Sequence, residues 1–170
     1  LWSNEMILPI AKLPAKILRK PTTDLTFPLK KDVVRLIKNM LDTCVSARGV
    51  GLAAPQVSKD LNMALIYLDE VEVEPFVIIN PKITKYSKET VAFEEGCLST
   101  PGVFGMVRRS KKITMDAYNI DGEKFSITDD TFLAIVLQHE IDHLNNVLIF
   151  DKFESITKGE ELVPIYAEKN

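Results

Sequence analysis

The chain contains two histidines, and they stand four residues apart in Gln138-His139-Glu140-Ile141-Asp142-His143-Leu144. On an α-helix that spacing puts both imidazoles on one face, where two ring nitrogens can reach one metal ion. Glu140 sits beside the first ligand and can reach a water on that ion without being a ligand, which is the position of a general base. A catalytic ion of zinc type typically has three protein ligands and one open position. The third donor must therefore come from elsewhere. Cys97, in Glu94-Glu95-Gly96-Cys97-Leu98-Ser99, follows a glycine at a loop or strand end, where a thiolate can approach a metal. The other cysteine, Cys44, falls on a helical apolar stripe, and its default role is packing.

The elements that must position these residues follow from periodicity. Lys31 to Arg48 reads as an amphipathic helix, with Val33, Val34, Ile37, Met40, Leu41, Cys44 and Val45 at helical spacing. Gly49-Val50-Gly51-Leu52-Ala53-Ala54-Pro55-Gln56-Val57 breaks that pattern, and its small residues let a backbone or ligand come close. Asn62 to Leu68, Phe76 to Asn80 and Ile83 to Ser87 read as strands, with a turn near Asp69 to Pro75. Lys112 to Asn119 and Lys124 to Thr128 alternate around Asp121-Gly122, as a β-hairpin does. Asp129 and Asp130 can cap the helix that carries the histidines. That helix should stop soon after Leu144, because Asn146 tolerates a left-handed C′ position. Val147 to Phe150 is a brief apolar segment, and Lys152 to Tyr166 reads as a weak terminal helix. Four of the nine prolines lie in the first 28 residues, which therefore read as an extended arm lying on the body through Ile7, Leu8, Ile10, Leu13, Ile17 and Leu18.

Composition narrows the class. At 170 residues, 46% hydrophobic and 26% charged, the chain reads as one soluble globular domain spanning residues 1–170. A net charge of −3 leaves no basic footprint for nucleic acid and no polybasic membrane patch. No apolar run approaches the roughly 18 residues of a transmembrane helix. Two cysteines are too few for a disulfide scaffold, so a reducing compartment with one thiol at work is the reading. Leu1 to Glu5 lacks the charged start and apolar core of a secretory signal and fits a processing remnant or a cloned end.

Three motifs stand in order: Gly49-Val50-Gly51-Leu52-Ala53-Ala54-Pro55-Gln56, Glu95-Gly96-Cys97-Leu98-Ser99 and Gln138-His139-Glu140-Ile141-Asp142-His143-Leu144. Together they closely resemble the signature motifs of the peptide deformylases, over about Ile7 to Phe150. The resemblance implies Cys97, His139 and His143 as metal ligands and Glu140 as general acid/base. It implies Gln56, through its side-chain amide, and Leu98, through its N–H, as oxyanion donors, and Gly51 as a backbone contact to the substrate peptide. The implied cofactor is one divalent ion, commonly Fe2+, with Zn2+, Ni2+ or Co2+ able to occupy the site. The implied reaction is hydrolysis of the N-formyl group from formyl-methionyl nascent polypeptides, releasing formate, in contact with the ribosome or free of it. The implied location is the bacterial cytoplasm, or a plastid or mitochondrion if Leu1 to Glu5 is a processing remnant. An arginine at about the distance of Arg109 is common in the family and can pair with Glu95, with Arg108, Lys111 and Lys112 as competing cations. Asp142 is open to supporting a ring N–H or a loop amide and equally to being a solvated helix-face charge. This chain has Asn146 and Ile149 where the family commonly has glycine and phenylalanine.

Methionine specificity needs an unbranched apolar slot. Phe132, Ile135 and Val136 lie seven, four and three residues before His139 on the same face, and Val50 and Phe93 join them from the loops; each is equally open to being core. Two other functions share the His-Glu-x-x-His signal. A metalloprotease would draw a third ligand from downstream, here from Asp151, Glu154, Glu160, Glu161 or Glu168. A closed, non-enzymatic metal site would use Cys44 as fourth ligand. The expected fold is α+β, with mainly antiparallel strands wrapped around a central metal-binding helix and an extended N-terminal arm.

Overall fold

The computed structural model describes residues 6–69 and 73–167. Leu1 to Glu5, Glu168 and part of the expected turn near Asp69 to Pro75 lie outside them. The described chain runs through helix α1 (Lys31–Ser46), strands β1 (Gly51–Ala53), β2 (Met63–Ile66), β3 (Phe76–Tyr86), β4 (Thr90–Gly96), β5 (Phe104–Ser110), β6 (Ile113–Tyr118) and β7 (Lys124–Asp129), then α2 (Phe132–Leu144), β8 (Phe153–Lys158) and α3 (Val163–Tyr166). Five strands form one sheet in the order β1-β2-β3-β6-β7, and β4-β5-β8 form a second; every pair is antiparallel.

Strand β2 shows why the larger sheet is legible. Met63 and Leu65 face α1, packing with Val33, Leu36, Met40 and Cys44. Ala64 and Ile66 face α2, packing with Ala134, Val136, Leu137, Ile141 and Leu144. Both faces are covered, so the strand is a continuous apolar run rather than an alternation. Helix α2 is therefore central. Its Thr131 cap accepts from Leu133 N–H at 3.3 Å, and the Asp129 carboxylate reinforces it by accepting from Ala134 N–H at 3.0 Å. Thr131, rather than either aspartate, occupies the cap position. At the other end Asn146 takes φ 62°, the left-handed C′ residue that stops the helix.

Several expectations change. The two strands expected at 76–80 and 83–87 are one, β3, with its ladder interrupted between Ile79 and Lys82. Pro81 has no N–H to donate there, and Asn80 turns to φ 49°. On α1 the expected stripe is shifted: Val34 and Val45 are exposed, while Leu36 and Thr43 are buried. The expected terminal helix over 152–166 is instead strand β8, a 3-10 turn and the four residues of α3. β8 pairs with β5, and that pairing, with Phe153 and Ile156 packed inward, overrides the weak helical propensity. Strands β4 and β5 had no counterpart among the expected elements. The N-terminal arm lies on the body as expected but is interrupted by a 3-10 turn over Lys16–Arg19, with Leu13 and Leu18 buried and Ile7 half exposed. It is tied to the body by Ala11 N–H on Gln56 O at 2.7 Å, Leu13 N–H on Ser99 O at 3.0 Å and Thr22 Oγ1 on Leu144 O at 2.9 Å. Among the described residues no helix is long and apolar enough to cross a membrane.

Candidate metal centre

Cys97 follows the last residue of β4, and His139 and His143 project from one face of α2 toward it. One donor atom from each, Sγ and two ring nitrogens, lies within 4.8 Å of the others. His143 Nε2 is 3.2 Å from Cys97 Sγ. Burial alone would raise the Cys97 thiol, but the His143 and His139 rings beside it hold it well below its ordinary range. That shift favours the thiolate, the form that ligates metals. One thiolate and two imidazoles in this grouping suit a divalent transition ion.

The helix is anchored to the smaller sheet by charge. Arg109, on β5, is 3% exposed and grips Glu95 through two bonds, Nε to Oε1 at 2.5 Å and Nη2 to Oε2 at 2.8 Å. Glu95 Oε2 is in turn 2.8 Å from His139 Nδ1. That contact makes Nδ1 the donor and leaves His139 Nε2 to face the thiolate. Burial pushes Glu95 up, but the Arg109 and His139 bonds outweigh it and hold the carboxyl at about 2. Arg109 Nη1 also donates to Asp142 Oδ2 at 2.6 Å. Asp142 thus supports His139 only indirectly, through Arg109 and then Glu95. His143 differs: it is 1% exposed, and its Nδ1 has no partner among the described residues.

Glu140 is 3% exposed and its Oε2 has no partner among the described residues. Burial, aided by the Cys97 charge, raises its carboxyl against the lowering effect of the two imidazoles. A raised carboxyl is what a general base at neutral pH requires. Gly51 makes room for it: a Cβ there would stand 2.6 Å from Glu140 Oε1. Gln56 is 2% exposed; its Oε1 accepts from Ala53 N–H at 2.9 Å, so its Nε2 points at Cys97 Sγ, 3.5 Å away.

These groups open on a cavity of about 430 Å³. Val50, Gly51, Gln56, Phe93, Cys97, Leu98, Phe132, Ile135, Val136, His139 and Glu140 all line it. Every residue nominated from sequence for chemistry or substrate contact is thereby brought to one place, with His143 just behind the wall. Ile135 and Val136 are buried at the floor, and Val136 also belongs to the core. Val50, Phe93 and Phe132 are partly exposed at the mouth, the last two with ring centroids 5.4 Å apart. Cys44 stays out: burial and the nearby Glu140 charge push its thiol up to about 12, and it is not among the grouped donors. Among the described residues no downstream carboxylate joins the grouped donors, and Asp151 and Glu154 are held by Arg19 and Arg108. Both competing ligand sets therefore fail, although Glu168 lies outside the described residues.

The sequence profile of the polypeptide deformylases matches residues 7–159. The chain belongs to the peptide deformylase family. Members of this family are metal-dependent hydrolases that remove the N-formyl group from nascent polypeptides, and that is the activity of this chain. The peptide deformylase of Halothermothrix orenii is 41% identical over 161 residues, covering 92% of this chain and 99% of that one. The crystal structure of a peptide deformylase from Legionella pneumophila superposes with a TM-score of 0.83 at 38% identity, covering 94% of this chain and 90% of that one. A class I type b peptide deformylase from Acinetobacter baumannii, crystallised bound to Met-Ala-Ser, gives a TM-score of 0.83 at 30% identity, covering 88% and 100%.

Ser99 and Phe104 are among the residues at the site that the reading of the motifs did not nominate. Ser99, 1% exposed, accepts from Gln56 Nε2 at 3.2 Å. It lay inside a quoted motif, but its partner is 43 residues away in sequence. Phe104 lines the cavity from β5, a strand the sequence did not announce.

Proposed function

We propose that Cys97 Sγ, His139 Nε2 and His143 Nε2 hold one divalent ion, natively Fe2+ with Zn2+, Ni2+ or Co2+ able to replace it. Glu140, Gln56 and Leu98 then carry the hydrolysis, within one domain formed by the whole chain. The observation that supports this reading is the convergence of three donor atoms within 4.8 Å beside a buried, unpartnered carboxylate. When bound, the ion supplies Lewis acidity and brings the pKa of water from near 16 towards roughly 7. Glu140 takes the proton of the attacking water and returns it to the leaving amine. Oxygen adds to the formyl carbon, the C–N bond breaks, and formate and a free amino terminus leave. Gln56 Nε2–H and Leu98 N–H donate to the oxyanion; one such donor is typically worth about 3 kcal/mol.

The apolar floor of Ile135 and Val136 takes the methionine side chain, with Val50, Phe93 and Phe132 at the mouth. Gly51 serves the substrate backbone and, by lacking a Cβ, the Glu140 carboxylate. The Met-Ala-Ser tripeptide held by the Acinetobacter baumannii relative is the product expected here from a formylated Met-Ala-Ser substrate. The enzyme works where translation begins with formyl-methionine, in the bacterial cytoplasm or an organelle, with its substrate still emerging from the ribosome or already free.

The test is formate release from formyl-Met-Ala-Ser with metal quantified in the same sample. Turnover should require one ion per chain. Glu140→Ala should lower kcat roughly 10²- to 10⁴-fold with metal retained. Near-normal turnover by that metal-loaded variant would remove Glu140 from the mechanism. Val136→Trp should raise KM while sparing metal content; an unchanged KM would assign Val136 to the core alone.

A further inference from the structure

Gln56 has one amide and three neighbours. Its Oε1 accepts from Ala53 N–H at 2.9 Å, which settles the orientation of the group, because an NH2 in that place would oppose another donor. Nε2 then carries two hydrogens. It lies 3.2 Å from Ser99 Oγ and 3.5 Å from Cys97 Sγ. The two directions do different work. The hydrogen near Sγ faces Cys97 at the cavity wall, on the side where the proposed oxyanion would form, while the one on Ser99 fixes the amide plane. Both side chains are sealed from water, Gln56 at 2% and Ser99 at 1% exposed. The backbones are pinned as well: Ala11 N–H bonds Gln56 O and Leu13 N–H bonds Ser99 O, alternate residues of one extended arm. We propose that Ser99 is a positioning residue for the oxyanion donor, its hydroxyl fixing the Gln56 amide so that the remaining N–H aims at the developing charge. This rests on the reading of Gln56 as that donor.

An aimed donor differs from a free one in the transition state, so the loss belongs in kcat. A neutral hydrogen bond at the upper end of its usual range corresponds to about a ten-fold effect. The experiment compares Ser99→Ala, Ser99→Thr, Gln56→Ala and the Ser99→Ala/Gln56→Ala double variant. Each is assayed for kcat and KM on formyl-Met-Ala-Ser, for bound metal and for thermal unfolding. Ser99→Ala should lose about ten-fold in kcat with KM and metal content unchanged, and Ser99→Thr should keep most of the activity by keeping the hydroxyl. The double variant should be no slower than Gln56→Ala, because Ser99 then has nothing to aim. Wild-type kcat in Ser99→Ala beside an impaired Gln56→Ala would overturn the proposal alone. Multiplying losses in the double variant would also overturn it, assigning Ser99 to the Cys97-Leu98 backbone instead. Full turnover by Gln56→Ala would overturn the reading of Gln56 and the proposal with it.

Discussion

His139 and His143 stand one turn apart on α2 and face the same thiolate, yet the protein holds them by different means. His139 is gripped from outside the helix: Nδ1 meets Glu95, Glu95 is locked by Arg109, and Arg109 also reaches Asp142. His143 is gripped only by packing, at 1% exposure, with Nδ1 unpartnered among the described residues. The smaller sheet supplies every charged support, from β4 and β5, while the larger sheet supplies apolar contacts to α2. Of the two proposed ligands, one is thus oriented by electrostatics and the other by shape. The charged support is the more fragile of the two, because removing Glu95 or Arg109 leaves the other a buried charge without its closest partner.

The largest effect should come from Arg109→Met. It strands Glu95, whose side chain is 5% exposed, and breaking a buried pair by removing one partner typically costs about 3–5 kcal/mol. The sign with pH is distinctive. In the wild type Glu95 sits at about 2 against an ordinary 4.5, so its stabilisation is complete above pH 4.5 and is lost as pH falls toward 2. Without Arg109, burial dominates and the folded carboxyl rises above its unfolded value. Stability should then fall as pH climbs through and beyond 4.5, the reverse slope. Urea unfolding of both proteins between pH 4 and 7 measures this. Parallel slopes would mean that Arg109 contributes packing rather than charge.

Glu95→Gln comes next. It keeps an oxygen for His139 but removes the charge that orients the ring. Loss of such support typically costs about 10–100-fold in metal affinity. Competition against a chelator should register that loss, and an unchanged affinity would show that His139, like His143, is held by shape alone.

The contrast also explains what could be read in advance. The two histidines and Glu140 share one helical face, so spacing suffices to group them. The strands of the larger sheet are apolar on both faces, and Met63-Ala64-Leu65-Ile66 declares itself. Strands β4 and β5 do not. Glu94-Glu95 and Arg108-Arg109 look like a solvated surface, and nothing in the residue types says that Glu95 and Arg109 point inward to each other while Glu94 and Arg108 point out. Strand β8 has only Phe153 and Ile156 to bury, a pattern that pairing with β5 decides and local propensity does not. Ser99 was invisible as a functional residue for the same reason: its role exists only once the fold carries Gln56 to it.

Asp142→Asn should be mild. Asp142 is 21% exposed on its side chain and shares its carboxylate between Arg109 and Lys152, the latter at 3.2 Å and itself 37% exposed. The amide oxygen can still accept from Arg109, and partly exposed pairs are worth about 0–1 kcal/mol. Thermal unfolding should shift by a few degrees at most, and metal content should hold. A collapse as deep as that of Arg109→Met would mean that Asp142, rather than Glu95, balances the buried guanidinium.

The smallest effect is the address of one proton. His143 Nε2 lies 3.2 Å from Cys97 Sγ, and a hydrogen on that nitrogen would let the two bond in protein stripped of metal. If the proposed ion binds there, that nitrogen would be the ligand and the hydrogen would move to Nδ1. His139 has no such freedom, since Glu95 keeps a hydrogen on Nδ1 in both states. Nitrogen-15 spectra of the two rings, recorded before and after chelation, should show His143 exchanging tautomers while the His139 Nδ1–H persists. If both rings change at Nδ1, then Glu95 does not fix His139, and the asymmetry between the two ligands lies in their burial alone.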